Sequence, residues 1–93
     1  MHIFRILEKQ SGFLRVLNFL LENGEQPVTK LISESGVPSH QVYSSIELGE
    51  RWNMITSRKD NISHPIKNMI RITEKGIRAT QKLKELMEIV LES

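Results

Sequence analysis

The chain has 93 residues, of which 26% are charged and 39% hydrophobic, with a formal net charge of +2 and no cysteine. That length fits one domain with a modest core, and the composition is that of a soluble globular protein, which excludes a disordered chain. Without cysteine there is no disulfide, no thiolate nucleophile and no cysteine-type zinc site.

No apolar run approaches the roughly 20 residues needed to span a bilayer. Residues 1–10 alternate apolar and charged side chains and lack a signal-peptide core, so a cytoplasmic protein without membrane contact is expected. The charge is unevenly placed: residues 1–50 sum to −2 and residues 51–93 to +4. An electrostatic footprint for phosphate therefore has to lie in the second half.

In chain order, Ile3, Phe4, Ile6 and Leu7 form a short apolar patch that fits either a helical turn or an edge strand. Ser11 is a good N-cap, and Phe13, Leu14, Val16, Leu17, Leu20 and Leu21 then recur at helical spacing until Asn23-Gly24 stops the helix. Pro27-Val28 is an extended step. Thr29 is expected to cap a two-turn helix carrying Leu31 and Ile32, which Gly36 ends, Val37 plugging the turn. Pro38 cannot extend that helix, and Ser39 is expected to cap the next one. In this second helix Val42, Ile46 and Gly49 face inward, leaving His40, Gln41, Tyr43, Ser44 and Glu47 on or near the outer face.

Two β-rich runs follow, at residues 53–59 and 67–72, joined by a polar, turn-rich segment from Asp60 to Pro65. In the return strand Ile66, Asn68, Ile70 and Ile72 point one way, and Lys67, Met69, Arg71 and Thr73 the other. One face is core and the other carries positive charge. Thr73 caps a last helix, and Gly76 in its first turn implies a close approach to a neighbouring element. Ile77, Leu83, Leu86, Met87, Val90 and Leu91 extend an apolar stripe nearly to the C-terminus. About 20 residues give a helix roughly 30 Å long, more than a domain this small can cover.

Helix, tight turn, helix, hairpin, helix is the order of a winged helix-turn-helix: a mainly α fold with a small β-hairpin (α+β). One domain is expected over residues 1–93, with its winged helix core at 11–76 and a long C-terminal dimerisation helix at 73–92. With these residues in place the chain resembles the winged helix domains of MarR-, ArsR- and HxlR-like transcriptional regulators, especially small archaeal versions. The resemblance runs from about Phe13 to Leu86. It is carried by Leu17, Leu20, Leu21, Gly24, Val28, Leu31, Ile32 and the Gly36-Val37-Pro38-Ser39 turn, by Val42, Ile46, Gly49, Asn53, Met54 and Ile55, and by Ile72-Thr73-Glu74-Lys75-Gly76 at the exit from the wing. Against these relatives Gly49 stands where a core leucine is usual, which predicts a weakened or bent helix end with Trp52 filling the space. Tyr43 and Ser44 stand where an arginine is frequent.

The resemblance implies a transcriptional regulator that binds double-stranded DNA as a homodimer. In the major groove, Ser39, His40, Gln41, Tyr43 and Ser44 are the side chains able to reach bases or phosphates, Gln41 by a bidentate pair with adenine. No Lys or Arg lies between Ser39 and Glu50. Lacking the commonest guanine contact, such a helix favours A·T-rich or shape-selected sites. Arg58, Lys59, Lys67 and Arg71 make the hairpin a wing for phosphate or a minor groove, and Lys30 adds a backbone contact. Leu83, Leu86, Met87, Val90 and Leu91 are the expected dimerisation residues, the alternative being that this helix folds back onto Ile3, Phe4 and Leu7 within one chain. The alternative is a winged helix used for protein contact, which the uncharged helix would suit.

Catalysis is not expected, nor a metal or cofactor. His2, His40 and His64 lack metal-ligand spacing, Asp60 is the only aspartate, and neither a phosphate-binding glycine loop nor a His-Glu-x-x-His pattern occurs. Ser39-His40 at a helix start reads as a cap, not a nucleophile. No set of residues argues for a small-molecule effector.

Overall fold

The computed structural model describes residues 12–62 and 64–92; the expectations for residues 1–10 and for Ser11 lie outside them. Helix α1 (Phe13–Asn23) buries Phe13, Val16, Leu17 and Leu20, the stripe that its sequence period requires. It ends where the Gly24 amide donates to the Leu20 carbonyl. A two-residue strand β1 (Gln26–Pro27) leads directly into α2 (Val28–Glu34), then α3 (Ser39–Arg51), β2 (Ile55–Asp60), β3 (Lys67–Ile72) and α4 (Glu74–Leu91).

Both expected hydroxyl caps in the middle of the chain are replaced by prolines. Pro27 and Pro38 hold the N-cap positions of α2 and α3 in extended conformations, with no side-chain cap bond. Thr29 and Ser39 lie inside the first turns. The reason is local: proline fixes φ near −65° in advance, and with the extended ψ found here that is a non-helical backbone suited to an N-cap. The Pro38 carbonyl accepts from the Gln41 and Val42 amides. Between the two helices Gly36 takes φ 79°, a conformation that glycine adopts without a steric penalty. Arg15 Nη1 donates to its carbonyl at 3.2 Å, Ser35 Oγ donates to the Leu31 carbonyl and accepts from the Val37 amide at 3.2 Å. Val37 is buried, as expected for the plug of the turn.

The sheet is antiparallel with strand order β1-β3-β2, so a third strand adds to the expected hairpin. Gln26 faces Ile70 and Pro27 faces Met69; β2 and β3 pair in unbroken register from Ile55 opposite Ile72 to Asp60 opposite Lys67. Strand β2 begins two residues later than its β-rich composition suggested, because α3 ends in a Schellman motif. Asn53 adopts φ 60°, its amide donates to the Glu50 carbonyl at 3.1 Å, and the Met54 amide donates to the Gly49 carbonyl at 2.8 Å. Asparagine tolerates this left-handed position.

Thr73 caps α4, its Oγ1 accepting from the Gly76 amide and donating to the Asn53 carbonyl at 2.7 Å. The Thr73 amide donates to the Met54 carbonyl at 2.9 Å, and Lys75 Nζ donates to the Trp52 carbonyl at 2.8 Å. The start of α4 is thereby stapled to the α3–β2 turn. A Cβ at Gly76 would collide with the Met54 carbonyl oxygen, which is the close approach inferred from sequence. At Gly49 the space is filled by Ile55, whose Cδ1 lies 2.5 Å from where a Cβ would stand, and not by Trp52. Trp52 instead meets the Phe13 ring edge to face, centroids 6.2 Å apart.

The core joins Phe13, Val16, Leu17 and Leu20 to Val28, Leu31, Val37, Val42, Ile46, Leu48, Ile55, Ile70 and Ile72. Burial of each such side chain contributes about 1.5–3 kcal/mol before the entropy of ordering it is subtracted. Helix α4 gives this cluster only the half-buried Ile77. Its own buried residues are Gly76 and Thr80, and Thr80 Oγ1 donates back to the Gly76 carbonyl at 2.7 Å.

Candidate nucleic-acid interface

The outer face of α3 divides into two halves. In the first two turns Ser39, His40, Tyr43 and Ser44 are exposed, with Tyr43 the largest projecting side chain at 56% exposure. Ser44 Oγ donates to the His40 carbonyl at 3.0 Å. In the last turns stand Glu47, paired with Arg51 at 3.7 Å, and Glu50, whose Oε2 accepts from Ser57 Oγ at 3.2 Å. The acidic end of the helix is thus tied to its neighbours and to the wing, leaving the half without formal charge projecting.

Gln41 departs from the sequence expectation. It is half-buried, its Oε1 is shielded from solvent without a hydrogen-bond partner among the described residues, and that oxygen lies 3.3 Å from where a Gly12 Cβ would be. Helical spacing puts Gln41 on the same edge as the buried Ser45 and Leu48, which turns it toward the start of α1. In this conformation it is withheld from the outer face on which the adenine pair was expected.

The four wing cations do not form one cluster. Directly opposed residues of an antiparallel pair share a face, so the register puts Lys59 with Asn68 on the side that carries Ile55, Ile70 and Ile72, facing α3. Arg58, Lys67 and Arg71 lie on the other face. Lys59 lines a groove of about 370 Å3 between α3 and the hairpin together with Tyr43, Glu50, Ser57 and Asn68.

Arg58 is engaged. Its Nη2 and Nε donate to Glu25 Oε1 and Oε2 at 2.7 and 3.0 Å, a bidentate pair that reaches across β3 to the segment before β1. The hydrogen bond from Arg58 holds the Glu25 carboxyl below its ordinary pKa, and the Arg58 and Arg71 charges add to the effect. The same bond raises the Arg58 pKa. Because the folded-state pKa of Glu25 is lowered, the pair helps the fold above the ordinary carboxylate range, and its help fades as pH falls through the lowered value. Lys30 sits in the first turn of α2 and pairs with Glu34 at 2.8 Å; that bond raises the Lys30 pKa. Lys59, Lys67 and Arg71 form no ion pair among the described residues.

Of the apolar residues expected to dimerise, Leu83 is half-buried and lines a slot of about 160 Å3 with Leu14, Asn18, Thr80 and Met87, between α1 and α4. Leu86, Met87, Val90 and Leu91 are exposed, joined by Ile89, which the sequence pattern had not singled out. Among the described residues no helix is long and apolar enough to cross a membrane, and no group of histidine and acidic side chains could hold a metal ion.

No protein-family model matches the chain, and no curated protein matches it in sequence. Solved structures do match in fold. The chain superposes on BpsR of Bordetella bronchiseptica, a protein whose DNA binding is regulated by 6-hydroxynicotinic acid, with a TM-score of 0.75 at 15% identity, over 86% of this chain and 60% of that one. A protein of Archaeoglobus fulgidus gives a TM-score of 0.71 at 18% identity, covering 96% of this chain and 97% of its own. A transcriptional regulator homologue from Pyrococcus horikoshii gives 0.69 at 20% identity, covering 99% and 100%. The chain has the winged helix-turn-helix fold, α2 and α3 forming the helix-turn-helix and β2–β3 the wing. Of these three, BpsR is described as binding DNA and the Pyrococcus horikoshii protein as a transcriptional regulator homologue.

Proposed function

We propose that this protein is a homodimeric transcriptional regulator that binds double-stranded DNA, with the first two turns of α3 in the major groove. The observation that carries this reading is the shape and chemistry of one surface: Ser39, His40, Tyr43 and Ser44 project from α3 beside a hairpin that carries Lys59. In winged helix proteins the second helix of the turn enters the major groove from its N-terminal end, and here that end is free of acidic residues. Tyr43 contacts a phosphate or a thymine methyl, and the small hydroxyls contact bases or backbone. With no cation on α3 before Arg51 and with Gln41 turned inward, recognition is led by shape and phosphate.

The wing supplies the phosphate contacts, with Lys59 and Lys67 foremost and Arg71 behind them. Lys30 reaches the backbone from the start of α2 only by leaving Glu34. Homodimerisation through the exposed end of α4 gives the twofold symmetry that paired half-sites require.

The deciding experiment is anisotropy titration of duplex DNA at several salt concentrations. Salt-sensitive binding is expected, and Lys59→Ala and Lys67→Ala should each reduce the slope of log affinity against log salt by about 1. Absence of salt-sensitive binding would leave protein contact as the use of this surface.

Glu25 gives a change of opposite sign. Glu25→Gln removes an acid from the wing stem and frees the Arg58 guanidinium, so affinity for duplex DNA should rise severalfold and the salt slope should steepen by up to about 1. Arg58→Ala should leave the slope near its wild-type value. A fall in affinity for Glu25→Gln with the fold intact would mean that the pair positions the wing instead of masking a cation.

A further inference from the structure

The β2–β3 ladder ends at Asp60 opposite Lys67, and beyond it Ile62 is 91% exposed, more than any other large apolar side chain described. Its amide donates to Asp60 Oδ1 at 3.1 Å, an Asx-type bond. Pro65 and Ile66 flank the tip, but Ile66 bends back over a groove of about 270 Å3 shared with Pro27, Val28 and Tyr43. Ile62 alone leads.

We propose that Ile62 is an apolar wedge that enters the minor groove beside the site occupied by α3 and unstacks a base step, bending the duplex. The inference rests on the DNA-binding reading and adds to it what the wing tip does.

Charge placement supports it. Lys59 and Lys67 leave the end of the hairpin on opposite faces, so a ribbon entering a groove edge-on offers one cation to each phosphate wall. Length agrees as well. From Ile55, packed against Gly49 of α3, to Asp60 is roughly 17 Å of strand at about 3.3 Å per residue, half of a helical turn of about 34 Å. That is the spacing between neighbouring major and minor grooves. The isoleucine side chain itself has no donor with which to read a base edge. It gains by leaving water between bases, as apolar side chains of minor-groove proteins do when they kink DNA toward the major groove. Pyrimidine–purine steps, which unstack most easily, are the preferred substrate.

The test uses end-labelled duplexes with a central TA step or a stiff A-tract, with bending followed by energy transfer and affinity by anisotropy. The intact wild-type chain should bend the TA duplex and prefer it. Ile62→Ala should abolish the bend and weaken TA binding about tenfold, the scale of one disrupted base contact, with little change on the A-tract. Ile62→Met should restore the bend, and Lys67→Ala should weaken both duplexes alike. Ile62 is exposed, so these variants should melt as the wild type does. Binding with no bend, or a bend that Ile62→Ala leaves intact, overturns the wedge while DNA binding stands; no binding to either duplex overturns both.

Discussion

Gly76→Val is expected to destabilise the fold by about 3 kcal/mol, at the upper end of the usual cost of overpacking. An added Cβ would lie against the Met54 carbonyl oxygen and 2.7 Å from Ile72 Cγ1, and valine adds two further carbons. The carbonyl cannot easily move aside. It accepts from the Thr73 amide, while the Met54 amide is held by the Gly49 carbonyl, so displacing it disturbs the end of α3 and the start of α4 together. Gly76→Ala is the sharper variant, because alanine in a helix should gain about 1 kcal/mol over glycine, and a net loss must overcome that gain. Gly49→Ala is the control. There the obstacle is the Ile55 side chain and not a hydrogen-bonded backbone carbonyl, so its loss should be smaller than that of Gly76→Ala. Urea midpoints with unchanged slopes measure all three. If Gly76→Ala matched or exceeded wild-type stability, the junction between α4 and the α3–β2 turn would not be the tight contact described.

Features set by neighbouring residues were legible in the sequence. Gly36 followed by Val37-Pro38 marks a turn between helices, Thr73 three residues before Gly76 marks a capped helix start, and both take those roles. Strand β1 was not legible, since two residues carry no period and Gln26 finds its partner at Ile70. The Arg58–Glu25 pair spans 33 residues of sequence, and no local rule points to it. The inward turn of Gln41 depends on the space that Gly12 leaves beside Val37, a tertiary fact. The split of the wing cations is different in kind: Lys59 has the same strand parity as Ile55 and Ser57, so the period of two already separated it from Arg58. The helix-turn-helix and wing followed from pattern. Which cations are free to hold phosphate depended on register and distant partners.

Leu86→Glu combined with Val90→Glu is expected to leave the fold intact, abolish self-association and weaken binding to a two-half-site duplex by about 100-fold or more. The two residues stand one turn apart on α4 and are 51% and 64% exposed, so in the single chain they forfeit little on becoming polar. Leu83 is the wrong position for this test, because it packs against α1 and its loss would confuse stability with assembly. The size of the effect comes from geometry. Once one half-site is bound, a linked second subunit meets its own half-site at an effective concentration in the ~mM range, whereas a free monomer must bind from dilute solution. Affinity for a single half-site should therefore be nearly unchanged, and only the gain from joining two should disappear. Sedimentation equilibrium of wild type and variant gives the first reading, and anisotropy on one- and two-half-site duplexes the second. A wild type that sediments as a monomer at the concentrations where it binds would remove α4 as the dimer contact. A double variant that stays dimeric would move that contact to another surface.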